Sequence, residues 1–259
     1  MSQWTQKKLK AYILNAVQGK NTLVVDGKPT EATKEIIGGF AGGMAQTMQT
    51  WQREVRINNV LVNGGTTGAP GPVNAAQGIM LLGAFSKKIK AKDVLSNTQT
   101  FFPSNYIMEV TGGLKASIDA VASTFAEIFN FWLDLLVITG IEVNGGTATG
   151  FFAPATVPGT VVMAIGTLPS LDSGVAFKIP KLLFNQILLN TLGPDLRVNI
   201  DGEVTDPMKD MVAAMGEGIM AMYDEWLLST EIKNLLVNGG TAIPAGVVVG
   251  SVGIVGELV

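Results

Sequence analysis

The pentapeptide Val-Asn-Gly-Gly-Thr occurs three times in this chain, as Val62-Asn63-Gly64-Gly65-Thr66, Val143-Asn144-Gly145-Gly146-Thr147 and Val237-Asn238-Gly239-Gly240-Thr241. A tryptophan lies 12 residues before each Asn: Trp51, Trp132 and Trp226. A recurrence of this kind constrains the fold more than any single segment, because each copy needs a comparable place to bury its apolar face. Shifting residues 26–66 by 175 sets them on residues 201–241 without a gap. Asp26-Gly27 then falls on Asp201-Gly202, Thr30 on Thr205 and Trp51 on Trp226. The middle copy lacks the Asp-Gly pair and keeps Thr111 at the place of Thr30 and Thr205. The frame predicts three tandem units, 1–84, 85–174 and 175–259, packed together as one α+β domain.

Each unit reads as two helices followed by a small β-hairpin element. The opening segments are short, basic and apolar: Lys7 to Leu14, Lys87 to Ala91 and Phe177 to Phe184. Asp26-Gly27-Lys28-Pro29 and Asp201-Gly202 mark turns, with Val24-Val25 and Val198 to Ile200 as short strands entering them. Thr30, Thr111 and Thr205 each stand 21 residues before a tryptophan and read as N-caps of a long helix. Apolar residues then recur at helical spacing. The series are Ile37, Phe40, Met44 and Met48; Ile118, Val121, Phe125 and Phe129; and Val212, Met215, Ile219 and Tyr223. Each stripe ends on its tryptophan, so the three helices are expected to share one core. Gly42-Gly43, Gly216 and Gly218 interrupt two of them, and their spacing suits close helix–helix approach. After each tryptophan a β-rich run ends on Asn-Gly-Gly, a strong signal for a tight hairpin turn. On this reading Asn63, Gly64 and Gly65, Asn144, Gly145 and Gly146, and Asn238, Gly239 and Gly240 form the turns.

The chain holds no Cys and no His, which excludes disulfides, zinc–thiolate sites and His-based catalytic triads. Charged residues are only 15% of the whole, below the usual quarter. A chain so poor in charge is expected to hide surface in an assembly. Its charge is also divided. Residues 1–92 carry 12 basic and 4 acidic residues, net +8, and residues 93–259 carry 6 and 17, net −11. Oppositely charged halves attract one another, a second copy or a charged neighbour. The most apolar window, Val121 to Ile141, contains Glu127 and Asp134, and so predicts a buried helix instead of a membrane span. No secretory leader pattern is visible at the start.

Candidate chemistry is sparse. The Asn-Gly-Gly-Thr copies follow a strand and lack the Lys of a phosphate loop, so a structural role is expected for them. Asp26 and Asp201, with Glu31, Asp206 and Asp210 nearby, lack the spacing of a calcium loop. Asp224-Glu225 and Glu127/Asp134 read as exposed helix faces and caps, with no partner for acid–base work. Trp4, Lys7, Lys8, Lys10, Tyr12 and Lys20 make a basic, aromatic start, too short for a nucleic-acid groove and equally suited to a protein contact. No catalytic, metal or cofactor residues are assigned.

The segments Leu61–Pro72, Glu142–Val161 and Leu236–Val247, each a Gly/Thr/Pro-rich extended run after a long helix, resemble those of small virion structural proteins of tailed bacteriophages. The resemblance lies in style and composition over the latter half of each unit. It implies a non-enzymatic component of a head, neck, tail or baseplate, built in the host cytoplasm. The implied partners are other virion proteins and copies of itself, and not nucleic acid. The alternative is a membrane-associated or membrane-active protein, suggested by high hydropathy and the basic apolar unit starts.

Overall fold

Long helices ending in tryptophan form the frame of a mixed helix-and-strand fold. The computed structural model describes residues 4–57, 60–63, 71–80, 82–102, 113–149, 160–191, 206–242, 247–251 and 257–258. Helix α1 (Gln6–Val17) leads into a pair of two-residue strands, β1 (Val24–Val25) and β2 (Lys28–Pro29). Their turn places Asp26 at φ +50° and Gly27 at φ +73°. Two successive left-handed residues make the tight turn that matches strand twist, and Asp and Gly tolerate it best.

Thr30 then caps α2 (Glu31–Glu54): its Oγ1 accepts the Thr33 N–H at 3.1 Å. Glu31 in the first turn faces the positive end of the helix dipole. The helix stops where Val55 turns extended and its N–H returns to the Trp51 carbonyl at 2.7 Å. The other long helices are α4 (Gly113–Leu135) and α7 (Asp206–Ser229). Between them lie α3 (Ala91–Phe101), the single turn α5 (Leu171–Gly174) and α6 (Lys181–Thr191). Thr111, Thr205 and Asp201-Gly202 fall outside the described residues.

The apolar stripes are the buried faces of the long helices. Ile37, Phe40, Met44 and Met48 of α2 are fully buried. So are Ile118, Val121 and Phe129 of α4, and Val212, Met215, Ile219 and Tyr223 of α7. All belong to one continuous core. Each fully buried Ile, Phe or Met contributes roughly 1.5–3 kcal/mol of transfer free energy. That total is what holds helices carrying mid-sequence glycines.

The short helices fill the gaps between long ones. Helix α1 packs on α2 and α7, α3 on α2 and α4, and α6 on α4 and α7. Two of these seams are tight. A Cβ added at Gly43 would lie 2.3 Å from the Thr98 backbone nitrogen of α3. One added at Gly218 would lie 2.8 Å from the Ile13 nitrogen of α1. Only glycine lets a neighbouring backbone come so near. In the tryptophan frame the corresponding α4 residue is the buried Thr124.

The strands β3 (Val60–Asn63), β4 (Gly71–Met80), β5 (Ile138–Thr149), β6 (Thr160–Leu168), β7 (Ile232–Ala242), β8 (Val247–Ser251) and β9 (Glu257–Leu258) are all antiparallel to their neighbours. Pairing runs β3–β4–β5–β6–β7–β8 and returns from β8 to β3. The sheet therefore closes on itself, and β9 adds to the start of β7. Closure gives every strand of the ring two neighbours and removes the exposed edges that invite aggregation.

Here the sequence reading needs correction. Asn144-Gly145-Gly146 lies inside β5 and Asn238-Gly239-Gly240 inside β7, so neither is a hairpin turn. In the first copy β3 includes Asn63, and Gly64 and Gly65 fall outside the described residues. The physical reason is competition from both sides. β5 is claimed by β4 and β6 together, and β7 by β6 and β8, so folding back at Asn-Gly would abandon two ladders. The motif marks bulges instead. Val73 pairs with Gly145 and Ala76 with Val143, so two β4 residues oppose Asn144 alone. Val161 pairs with Gly239 and Ala164 with Val237, which sets two β6 residues against Asn238. Glycine inside a strand commonly marks such an irregularity.

Candidate functional site

The three frame tryptophans meet. Trp226 lies 6.1 Å from Trp51 and 6.4 Å from Trp132 between ring centroids, both edge-on. Phe129 sits among them, 5.2 Å from Trp51, 5.4 Å from Trp132 and 5.9 Å from Trp226. Tyr223 closes on Trp132 at 5.4 Å, also edge-on. Edge-to-face contacts set a ring's positive rim against its neighbour's negative face and add about 0.5–1.5 kcal/mol per pair. All three indoles are at least 96% buried. The cluster is core and offers no access to a ligand.

Two of the indoles also tie down the chain entering the next short helix. Trp51 Nε1 donates to the Lys87 carbonyl at 2.9 Å, and Trp132 Nε1 donates to the Phe177 carbonyl at 3.0 Å. Residues two or three positions before the tryptophans grip the same kind of segment. The Asn130 amide accepts from Ile89 N–H at 2.9 Å and donates to the Ile89 carbonyl at 2.8 Å. Gln49 Nε2 donates to the Trp4 carbonyl at 2.5 Å. Tyr223 Oη accepts the Ile179 N–H at 3.4 Å, and burial pushes its phenol well above the ordinary range. Sequence reasoning singled out the tryptophans and missed these polar residues. Their common signal, a side chain with hydrogen-bonding capacity two or three positions before each tryptophan, is visible once the tryptophans are aligned.

The charge division is satisfied in part within the chain. Across the α1/α7 seam Lys8 Nζ meets Glu225 at 2.5 Å and Lys20 Nζ meets Glu217 at 3.3 Å. Tyr12 Oη donates to Glu225 at 2.7 Å, and Thr22 Oγ1 donates to Asp210 at 2.5 Å. The Lys8 hydrogen bond, then that of Tyr12, holds the Glu225 carboxyl below its ordinary range. The same carboxylate pushes the Tyr12 phenol up. Lys8, Tyr12 and Lys20, read from sequence as a basic start, are thus turned toward the acidic last third. Of the acids noted in the sequence, Asp134 pairs with Lys88 and Glu225 with Lys8, which are ties between elements.

One recess of about 240 Å³ lies at the α2/α3 seam, lined by Glu54, Lys87, Lys88, Lys90, Asp93 and neighbouring polar residues. Lys87 is paired with Glu54 at 2.7 Å and Lys88 with Asp134. It is smaller than an ordinary small-molecule site, and its charges largely answer one another. Among the described residues no group of three or more Asp or Glu is placed to hold a metal ion.

What the surface offers instead is apolar. Phe131 and Leu135 on α4, Leu182, Leu183 and Leu189 on α6, and Phe177 just before α6 are all exposed. Helices α4 and α6 pack on each other, and Val25, Leu82, Phe101, Ile165 and Leu228 are exposed on other elements. No family model, curated protein or solved structure matches the chain.

Proposed function

We propose that this protein is a non-enzymatic structural component of a large assembly, of the kind that builds a tailed-phage virion, where it supplies contacts between subunits. The observation that carries the reading is the exposed apolar set on α4, α6 and Phe177, on a body that already has one continuous core and a sheet closed on itself. A soluble monomer gains nothing by showing Phe131 at 64% and Leu182 at 71% exposure, whereas an assembling subunit buries them against a neighbour. The low charged fraction supports the same reading.

The same proposal includes the origin of the architecture: three copies of one module, each giving a short helix, a tryptophan-ended long helix and two strands. Its support is the sequence frame, together with ladders that alternate within and between the units 1–84, 85–174 and 175–259. Sedimentation velocity on the recombinant chain across a concentration series tests the assembly reading. The expected result is concentration-dependent growth in mass. A strictly monomeric species that also binds no hydrophobic dye would refute it.

A second reading, contact with a membrane surface, is favoured by Lys181 beside the exposed leucines of α6, an arrangement suited to anionic lipid. No described helix is long and apolar enough to cross a membrane. Flotation with anionic vesicles tests it, and absence of binding would dispose of it.

A further inference from the structure

The α1/α7 and α4/α6 seams place corresponding residues differently, and the difference identifies a docking surface. Glu225 and Phe131 each immediately precede a frame tryptophan, Trp226 and Trp132. Lys8 and Leu183 each immediately precede the first of a pair of buried residues four apart on their short helices, Leu9 and Ile13 on α1, Phe184 and Leu188 on α6. At the α1/α7 seam this pair of positions holds a 2.5 Å ion pair reinforced by Tyr12. At the α4/α6 seam it holds Phe131 and Leu183, which are 64% and 47% exposed. One chain therefore contains both a version of this position suited to water and a version that is not.

We infer that the α4/α6 face docks against the same face of a second copy of this chain. This rests on the assembly reading above and deepens it by naming the surface and its occupant. Three arguments favour a second copy. The first is extent: Phe131, Leu135, Phe177, Leu182, Leu183 and Leu189 together expose on the order of 500 Å², which matches the apolar part of an interface burying about 800 Å² per partner. The second is charge. Lys181 of α6 and Glu127 of α4 are exposed, and neither has an ion-pair partner among the described residues. A face carrying one of each sign does not repel its own copy, and a twofold rotation can set the Lys181 of one copy toward the Glu127 of the other. The third is composition: Phe131 and Phe177 are exposed aromatic residues, the type enriched at protein interfaces.

The test uses the full chain and two variants, followed by sedimentation velocity, with circular dichroism to verify folding. Phe131→Glu combined with Leu183→Lys rebuilds at this seam the ion pair of Lys8 and Glu225. Leu182→Lys alters the most exposed of the apolar set. The expected result is a wild-type dimer whose dissociation constant rises at least about tenfold in each folded variant. Should the double variant fail to fold, Leu182→Lys alone decides. Self-association unchanged in the folded variants overturns this inference and leaves the assembly reading standing. A wild-type chain that stays monomeric and floats with anionic vesicles overturns it in favour of a lipid surface. A monomer that does not float overturns this inference, and one that also binds no hydrophobic dye overturns the assembly reading with it.

Discussion

Replacing Gly43 by Ala tests the tightest helix crossing among the described residues. The added Cβ would lie 2.3 Å from the Thr98 nitrogen, 2.3 Å from its Oγ1 and 2.4 Å from its Cα. Favourable contacts between such atoms begin near 3.5 Å, so α3 must retreat by roughly 1 Å. Thr98 cannot swing aside, because two of those atoms are backbone. Alanine returns about 1 kcal/mol of helix propensity to α2. Against that, a retreat of about 1 Å forfeits a quarter to a half of each dispersion contact across the face, and overpacked sites typically lose about 1–3 kcal/mol. With the backbone itself displaced, a net loss of about 2 kcal/mol is expected, or roughly 4–8 °C in Tm for a chain of this size. Gly218→Ala should behave alike, since Ile13 N lies 2.8 Å from its added Cβ. Gly216→Ala is the control. Its nearest neighbour is the Leu188 Cδ2 at 2.7 Å, the end of a flexible side chain, so it should stay within about 1 kcal/mol of wild type. Urea unfolding followed by tryptophan fluorescence reads the series, since all four indoles are buried in the core. A lower midpoint at constant slope is the expected signature. Gly43→Ala as stable as Gly216→Ala would show slack between the helices and refute the reasoning.

Asn130→Leu removes both hydrogen bonds to Ile89 and should cost about 2 kcal/mol in the same unfolding assay, at about 1 kcal/mol per bond. Glu225 has its carboxyl held below the ordinary 4.5 by Lys8 and Tyr12. The stability this confers is complete above that pH and is lost as pH falls through the lowered value, so Glu225→Gln should flatten that part of the acid limb. Stability measured from pH 6 downward checks this, and an unchanged acid limb would count against the tie. The Tyr223 phenol is raised above its ordinary 10.0 by burial, so the stability it confers is present below pH 10 and declines as pH rises beyond it. Tyrosinate absorbance should therefore appear together with alkaline unfolding, and Tyr223→Phe should lessen the loss of stability above pH 10.

How much of this was legible in the sequence depends on whether a signal was local or required a neighbour. The tryptophan frame and the apolar stripes predicted the buried faces of α2, α4 and α7, because burial of a helix face is written every three or four residues. Thr30 and the Asp26-Gly27 turn were legible because a cap and a tight turn are settled within four residues. Asn144-Gly145 and Asn238-Gly239 were misread because their turn preference is local, while the ladders that override it come from strands far along the chain, such as Gly71–Met80 beside Asn144. The charge halves were legible as numbers. That Lys8 would find Glu225 needed α1 to lie on α7, which no periodicity states.

The three seams also separate what folding requires from what it does not. At α2/α3 and α1/α7 a glycine brings the helices together, and charged pairs such as Glu54–Lys87 and Lys8–Glu225 finish the outer edge. Those two solutions differ in detail and agree in kind: small residue inside, charge outside. The α4/α6 seam reverses both choices, with Thr124 in place of the glycine and Phe131 and Leu183 in place of the ion pair. A core of this size does not need that reversal, since the other two seams close without it. Exposed Phe and Leu are disfavoured in water by about 25 cal/mol per Å² of apolar surface, and although Leu82, Phe101 and Leu228 are exposed elsewhere, the largest share falls on α4, α6 and Phe177. The asymmetry, more than the shared frame, is therefore where a role in assembly would be written.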